Sequence, residues 1–275
     1  MRVVAAFVAV LSFECLSGCG GATCPTTLHT DAAALVDAHV AGRAKVTTLR
    51  AEARVEQWGK KGRVRGTVLM FLERPNKVRF DAMTQFGPAA VLTSDGERFA
   101  LLDMRENRYL EGPTCPLNIE RLLGIPLSGE DVARLLVGDV PSGGTPRAVT
   151  CTGDGTYRVT ADFADGQRAK YDFAVPDADL DAPPAKQRTR LVRADVYDAR
   201  GKLVWRATYD DYASVRIGDG GAVVLPFRVR VEHPSRGADT RIRFQKIDIG
   251  VKPPDGAFAQ SPRPGLAVEE VVCEP

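Results

Sequence analysis

The chain has 275 residues, with 37 Lys and Arg against 35 Asp and Glu and a formal net charge of +2. That length suits one large domain or two small ones with a sizeable core. The even charge balance argues against a nucleic-acid partner and against a strongly acidic one.

The first residues carry the sharpest signal. Met1-Arg2 is followed by an apolar run over 3–13 and then by Leu16-Ser17-Gly18-Cys19. A basic start, a short apolar stretch and small residues before a cut describe a secretory signal peptide. The run is too short to span a bilayer, which takes about 20 residues, and no later segment is long and apolar enough either. Leu-Ser-Gly-Cys also resembles the bacterial lipobox. The resemblance implies that 1–18 are removed, that Cys19 is acylated, and that the remainder is held at a membrane in the cell envelope. A conventional cut elsewhere, with Cys19 a bystander, is the alternative. Gly20, after the cysteine, is compatible with delivery to the outer membrane.

Four cysteines remain beyond Cys15 and Cys19. In an oxidising compartment Cys24, Cys115, Cys151 and Cys273 suit two disulfides, with three pairings open. The preferred one joins Cys115 to Cys151 around a middle segment and Cys24 to Cys273 across the two ends. With no Cys-x-x-Cys pair, neither a zinc site nor a thioredoxin-like redox motif is expected.

Residues 19–30, rich in Gly, Thr and Pro, read as a tether, leaving 31–275 as one domain. Over 31–42, Ala33, Leu35, Val36 and Val40 fall at helical spacing, with Asp31 as N-cap and Gly42 as stop. The period then becomes two. Strands are expected at 46–58, 63–72, 77–83, 89–93, 98–104 and 108–110, joined by tight turns such as 59–62, 74–76 and 94–96. Two short amphipathic helices follow, at 116–123 and at 128–137, the second capped by Ser128 with acidic residues behind it. A loop at 141–146 leads to further strands at 157–163, 168–173, 188–197, 202–212, 223–232 and 240–251. Residues 174–186, rich in Pro and Asp, read as a mobile loop. About twelve strands and three helices make a mainly β (α+β) chain. One curved antiparallel sheet with helices on its concave face closes a core better than two small open sheets with exposed edges.

That order of elements resembles the LolA/LolB family. The strings similar to it are Arg74-Pro75, Gln85-Phe86-Gly87, Leu123-Gly124-Ile125-Pro126-Leu127 and Val224-Leu225-Pro226-Phe227. The resemblance covers roughly 31–251. It implies an open half-barrel covered by short helices, whose apolar interior holds acyl chains of a lipid or lipoprotein. It implies a periplasmic carrier protein as a further partner, and an outer-membrane location facing the periplasm. It also places Phe86 at a turn that meets the membrane; folding back onto the core is the other possibility. Greater length, the 174–186 loop and the cysteines depart from the family's receptor form.

Little in the sequence points to catalysis. His29, His39 and His233 share no local metal motif, and a surface position is expected for each. There is no nucleophile elbow, phosphate loop or His-Glu-x-x-His. Asp210 and Asp211, adjacent on a strand, are expected to face opposite ways. Arg63/Arg65, Arg228/Arg230 and Arg241/Arg243 alternate on strands as a solvated, aggregation-resistant face, or as a basic surface for anionic head groups. No cofactor or metal is expected. What remains is an apolar concave face built from Val64, Val68, Met70, Leu72, Val78, Phe80, Leu203, Trp205, Leu225, Phe227 and Val229, expected to line a lipid cavity. A filled core in a non-catalytic structural or interaction lipoprotein is the alternative, and a hydrolase of dispersed residues a more remote one.

Overall fold

In a computed structural model, residues 23–59, 62–123, 126–218 and 220–273 are described, together with the backbone but not the side chains of 122 and 123. The lipobox and Cys19 lie outside them. Helix α1 (Ala32–Ala44) comes first, followed by β1 (Thr48–Gly59), β2 (Gly62–Glu73), β3 (Lys77–Thr84), β4 (Gly87–Ser94), β5 (Arg98–Asp103) and β6 (Arg108–Pro113). Helices α2 (Pro116–Leu123) and α3 (Gly129–Leu136) lead into β7 (Thr145–Cys151), β8 (Tyr157–Asp162), β9 (Arg168–Ala174), β10 (Arg190–Tyr197) and β11 (Leu203–Arg216). The chain ends with β12 (Ala222–His233), β13 (Ala238–Ile249) and β14 (Val268–Glu270).

All of these strands lie in one 14-stranded open sheet in the order β14-β6-β5-β4-β3-β2-β1-β13-β12-β11-β10-β9-β8-β7. Strands β1–β6 form one antiparallel meander and β7–β13 a second. The meanders join where β13 returns beside β1, from Leu49 opposite Ile249 to Trp58 opposite Asp239. The register carries apolar side chains from strand to strand on one face. Leu110, Leu101, Leu92, Phe80, Met70, Ala51 and Ile247 form one such row. Val231, Ala207, Ala194, Tyr171, Val159 and Val149 form another in the second meander. Both rows belong to a single core, which also takes in Leu35 and Val36 of α1, Ile119 of α2, and Val132, Leu135 and Leu136 of α3. Asp31 caps α1 by accepting from the backbone N–H groups of Ala33 and Ala34 at 2.9 and 3.0 Å, and Ser128 caps α3 through Asp131 N at 3.0 Å. Helix α1 runs two residues past Gly42.

Two strands escaped the sequence reading. Strand β7 occupies the far edge, and its pattern of mostly exposed side chains gives no period-two signal. Strand β14 has three residues and pairs parallel to β6, so the sheet is mixed rather than purely antiparallel. The segment before β14 crosses the convex face of the first meander. There Gln260 Nε2 donates to the carbonyls of Val91 and Ala100 at 2.9 and 3.0 Å, and Tyr109 Oη donates to Gln260 O at 2.7 Å. Leu266 packs on a second small core of Val91, Ala100, Leu102 and Tyr109. Gly112 permits this close approach, since a Cβ there would overlap the Val271 carbonyl. The first meander is therefore covered on both faces, which accounts for the continuous apolar runs in β4 and β5.

The disulfides differ from the expected pairing. Cys24 bonds to Cys151, and Cys115 to Cys273. The sheet brings the end of β7 to the N-terminal segment and the end of β6 to the strand that pairs with it, a proximity that sequence spacing does not encode. Residues 24–30 are consequently not free tether. Thr26 N donates to Leu180 O at 2.9 Å, and His29 N to Tyr157 Oη at 3.1 Å. The 174–186 segment is tied down as well: Gln187 Nε2 donates to Thr27 O and Ala182 O, both at 2.9 Å, and Arg188 grips Asp179 at 2.7 Å.

Peptide mapping without reduction should recover Cys24–Cys151 and Cys115–Cys273 cross-linked peptides and no Cys115–Cys151. Replacing Cys24 and Cys151 by Ser should cost roughly 2–5 kcal/mol in denaturant unfolding and open residues 24–30 to proteolysis.

Candidate functional site

The apolar face expected to hold a ligand exists, but helices fill it. Val68, Met70, Leu72, Val78, Phe80, Trp205, Leu225 and Val229 are buried in the main core, and Phe227 packs against it. Two expected residues are not there. Val64, 59% exposed, stands near the β1–β2 turn. Leu203 lies outside the core because a register shift beside Val196 brings Val204 onto it instead. The expected open cavity is reduced to about 20 Å³ between Val55, Met70, Phe80, Thr240 and Ile242 on the sheet and Leu127, Val132, Leu135 and Leu136 of the α3 segment. That is room for about one water, whereas ligand pockets run to about 300 Å³ or more. Helix α3 occupies the space because its eight residues turn a continuous apolar stripe onto β3.

A buried polar cluster fastens this helical cover. His39 and Arg43 fall on the same helical stripe as Leu35 and Val36, so α1 carries them inward. His39 Nε2 meets Gly138 O at 3.0 Å, and Arg43 Nε donates to the same carbonyl at 3.3 Å. Arg43 also donates to Val224 O. Arg74, at the start of the β2–β3 turn, donates to Arg43 O at 2.9 Å and to the fully buried carboxylate of Asp139 at 2.7 Å. Arg134 of α3 donates to the same oxygen, Oδ2, at 3.2 Å, while Oδ1 of Asp139 accepts from Val140 N at 2.9 Å. Gly138 adopts φ +67°, and a Cβ there would press on Pro226 at 2.9 Å. This glycine lets the carbonyl after α3 turn toward α1.

Burial, reinforced by the Arg43 charge and opposed by the Gly138 carbonyl, lowers the His39 pKa to about 3. His39 is therefore neutral at physiological pH, and its Nε2–H donates to Gly138. Its 4.0 Å approach to Asp139 is then not an ion pair. The surface position expected for each histidine is corrected for His39 and His233, which are buried, while His29 is half-buried. The helical spacing of His39 and Arg43 with Leu35 was the available signal. Nothing local marks Asp139 as their neighbour.

Phe86 is 90% exposed at the β3–β4 turn, so it does not fold back onto the core. Register places that turn, the β1–β2 turn and Val64 at one rim of the sheet, and Cys24–Cys151 at the opposite rim. Asp210 and Asp211 also depart from expectation. Asp211 takes φ 58°, a left-handed backbone conformation that lets both carboxylates approach Arg228, at 3.6 and 3.2 Å. Among the described residues no group of three or more His, Cys, Asp or Glu could hold a metal ion, and no helix is long and apolar enough to cross a membrane.

Stability should fall as pH drops below about 6.5, because the unfolded chain protonates His39 while the folded one resists until about pH 3. Over that window the loss attributable to His39 is on the order of 3–5 kcal/mol. His39→Gln, which keeps a donor but does not titrate, should flatten the dependence of the thermal midpoint on pH there. Arg74→Met should cost about 2–3 kcal/mol by removing a charged partner of Asp139.

No protein-family model matches the chain, and no curated protein is similar to it in sequence. Solved structures are similar to it. A DUF1329 family protein from Desulfovibrio piger superposes with a TM-score of 0.57 at 16% identity, over 82% of this chain and 96% of the other. A LolA superfamily protein from Nitrosomonas europaea superposes at 0.56 and 12% identity, over 85% and 99%. The fold of this chain is LolA/LolB-like.

Proposed function

We propose that the chain is a non-enzymatic lipoprotein of the bacterial cell envelope, cut before Cys19, acylated there and held at the outer membrane facing the periplasm. Its half-barrel takes up an acyl chain of a lipid or of another lipoprotein when α3 lifts from the sheet, with a periplasmic carrier protein as the donor. The observation that carries this reading is the apolar floor across seven strands, roofed at β3 by one eight-residue helix. The LolA/LolB-like fold supports it.

Magnitudes permit the exchange. Lifting α3 exposes Leu127, Val132, Leu135 and Leu136, a cost of about 6–12 kcal/mol at about 1.5–3 for each side chain. A long acyl chain of about fifteen methylenes regains about 12 kcal/mol at about 0.8 each. The cover and the cargo are therefore near equivalents, as reversible transfer requires. The 20 Å³ remaining under α3 favours a second reading, an interaction lipoprotein whose core stays filled.

Native mass spectrometry of gently extracted protein separates the two. Co-purifying lipid is expected, and its complete absence favours the filled core. Leu135→Ala should destabilise the fold by about 2–4 kcal/mol and, because it loosens the cover, tighten binding of a fluorescent fatty acid. No uptake by either form would sink the carrier reading. Intact mass of the native protein should show loss of 1–18 and acyl chains on Cys19; an unmodified cysteine would refute the anchor.

A further inference from the structure

The crest of the convex face carries a concentration of arginine that neither the fold nor the concave site uses. Strands β1 and β13 are the middle two of the fourteen, and their outward side chains lie on the face opposite the helices. Across them, Arg54 of β1 lies directly opposite Arg243 of β13, and Arg243 directly opposite Arg228 of β12. One step along the strands, Arg241 faces Arg230 on one side and Glu56 on the other, with Arg65 beyond. These six arginines surround a shallow groove of about 480 Å³, in which Glu56 and Asp210 are the acidic lining residues.

Like charges directly opposed on neighbouring strands destabilise a sheet. Most of the arginines are partly compensated: Arg65 by Glu56 at 3.3 Å, Arg228 by Asp210 and Asp211, Arg230 and Arg241 by Asp239 at 2.8 and 3.3 Å. Arg54 and Arg243 are exposed and have no acidic partner within 4.0 Å among the described residues. An opposed and unpaired couple at the crest fits an external anion.

The anchor narrows which anion. Cys24 is bonded to the rim of β7, so only five residue steps separate Cys19 from the folded body. Fully extended, they reach about 18 Å. Strands of seven to twelve residues span about 23–40 Å. The half-barrel therefore cannot stand on the rim that bears Phe86 while its opposite rim is tied to the same bilayer. It either stands on the Cys24–Cys151 rim or lies on its side, and the arginine crest fits the second.

We infer that the mature protein lies with its convex crest against the membrane, where Arg54, Arg243 and their neighbours bind the phosphates of anionic phospholipid head groups. This orientation rests on acylation of Cys19; the affinity of the crest for phosphate does not. The concave face and its helical cover then point away from the bilayer, open to a soluble donor.

The test uses the mature chain, residues 19–275, which contains every described element, with Cys19→Ser so that no acyl anchor contributes. Sedimentation with phosphatidylcholine vesicles containing phosphatidylglycerol should show binding that rising salt abolishes, and pure phosphatidylcholine vesicles should not bind. Arg54→Thr with Arg243→Thr should weaken the partition about 25-fold, about fivefold for each arginine at a membrane surface. Arg200→Thr, in the β10–β11 turn, should leave it unchanged. The double variant should keep or raise its thermal midpoint, since two opposed charges are removed. Equal binding to both vesicles, undiminished binding by the double variant, or displacement by inorganic phosphate beyond that caused by sodium chloride at equal ionic strength would overturn the docking surface. Failure here leaves Cys19 acylation untouched, because that is read separately from the intact mass of the native protein.

Discussion

The pairing of β13 with β1 is the constraint on which the rest of the molecule depends. Each meander forms from local hairpins, and each alone would present a long unpaired edge. Ten paired positions along that seam turn two small sheets into one. The register there also aligns Ala51 with Ile247 and Val55 with Ile242, so the apolar faces of the two halves become a single concave surface. Between contacting residues lie about two hundred positions of chain, so this seam carries a large loop-closure cost that local turns do not.

Once the concave surface is continuous, something must cover it. Three short helices do so, and they enter in different ways. Helix α1 precedes the sheet and packs toward the β7 side, while α2 and α3 sit in the connection between the meanders, over β3, β4 and β5. Buried polar groups come with them. Asp139 is tolerable without solvent only because Arg74, Arg134 and a backbone N–H satisfy it. That cluster ties the first helix, the third helix and the β2–β3 turn at one point; Asp131, in the first turn of α3, accepts from Ser142 N and Oγ at 3.1 Å, and the helix meets the sheet itself through Val132, Leu135 and Leu136.

The two faces and two rims divide the work proposed for the molecule. The concave face holds the apolar surface and its cover. The convex face is closed over the first meander by the C-terminal segment, which Cys115–Cys273 pins, and is bare and basic at the central strands. One rim shows Phe86 and Val64 to solvent; the other receives the N-terminal segment through Cys24–Cys151. With Cys19 acylated as proposed, the five residue steps from it to Cys24 couple these features, since they limit which surfaces meet a bilayer together.

Local rules account for most of what could be read from the chain before its fold was known. Period two placed twelve of the strands, turn chemistry placed their hairpins, and caps at Asp31 and Ser128 placed two helices, because each depends on neighbours within a few residues. The apolar identity of Met70, Phe80 and Leu225 marked an inward face for the same reason. What depended on distant partners was not legible. The cysteine pairing followed from which strand ends the sheet brought together. The inward course of His39 and Arg43 needed Gly138 and Asp139, about a hundred residues away. Strand β14 exists only because β6 offers an edge, and the interior is filled rather than hollow because α3 happens to fit the space the seam creates. The sequence by itself determined twelve of the strands and the helices, which are local patterns. Whether the apolar face became a cavity or a core, and which charges met across the crest, only tertiary structure decided, since both turn on packing between segments far apart in the chain.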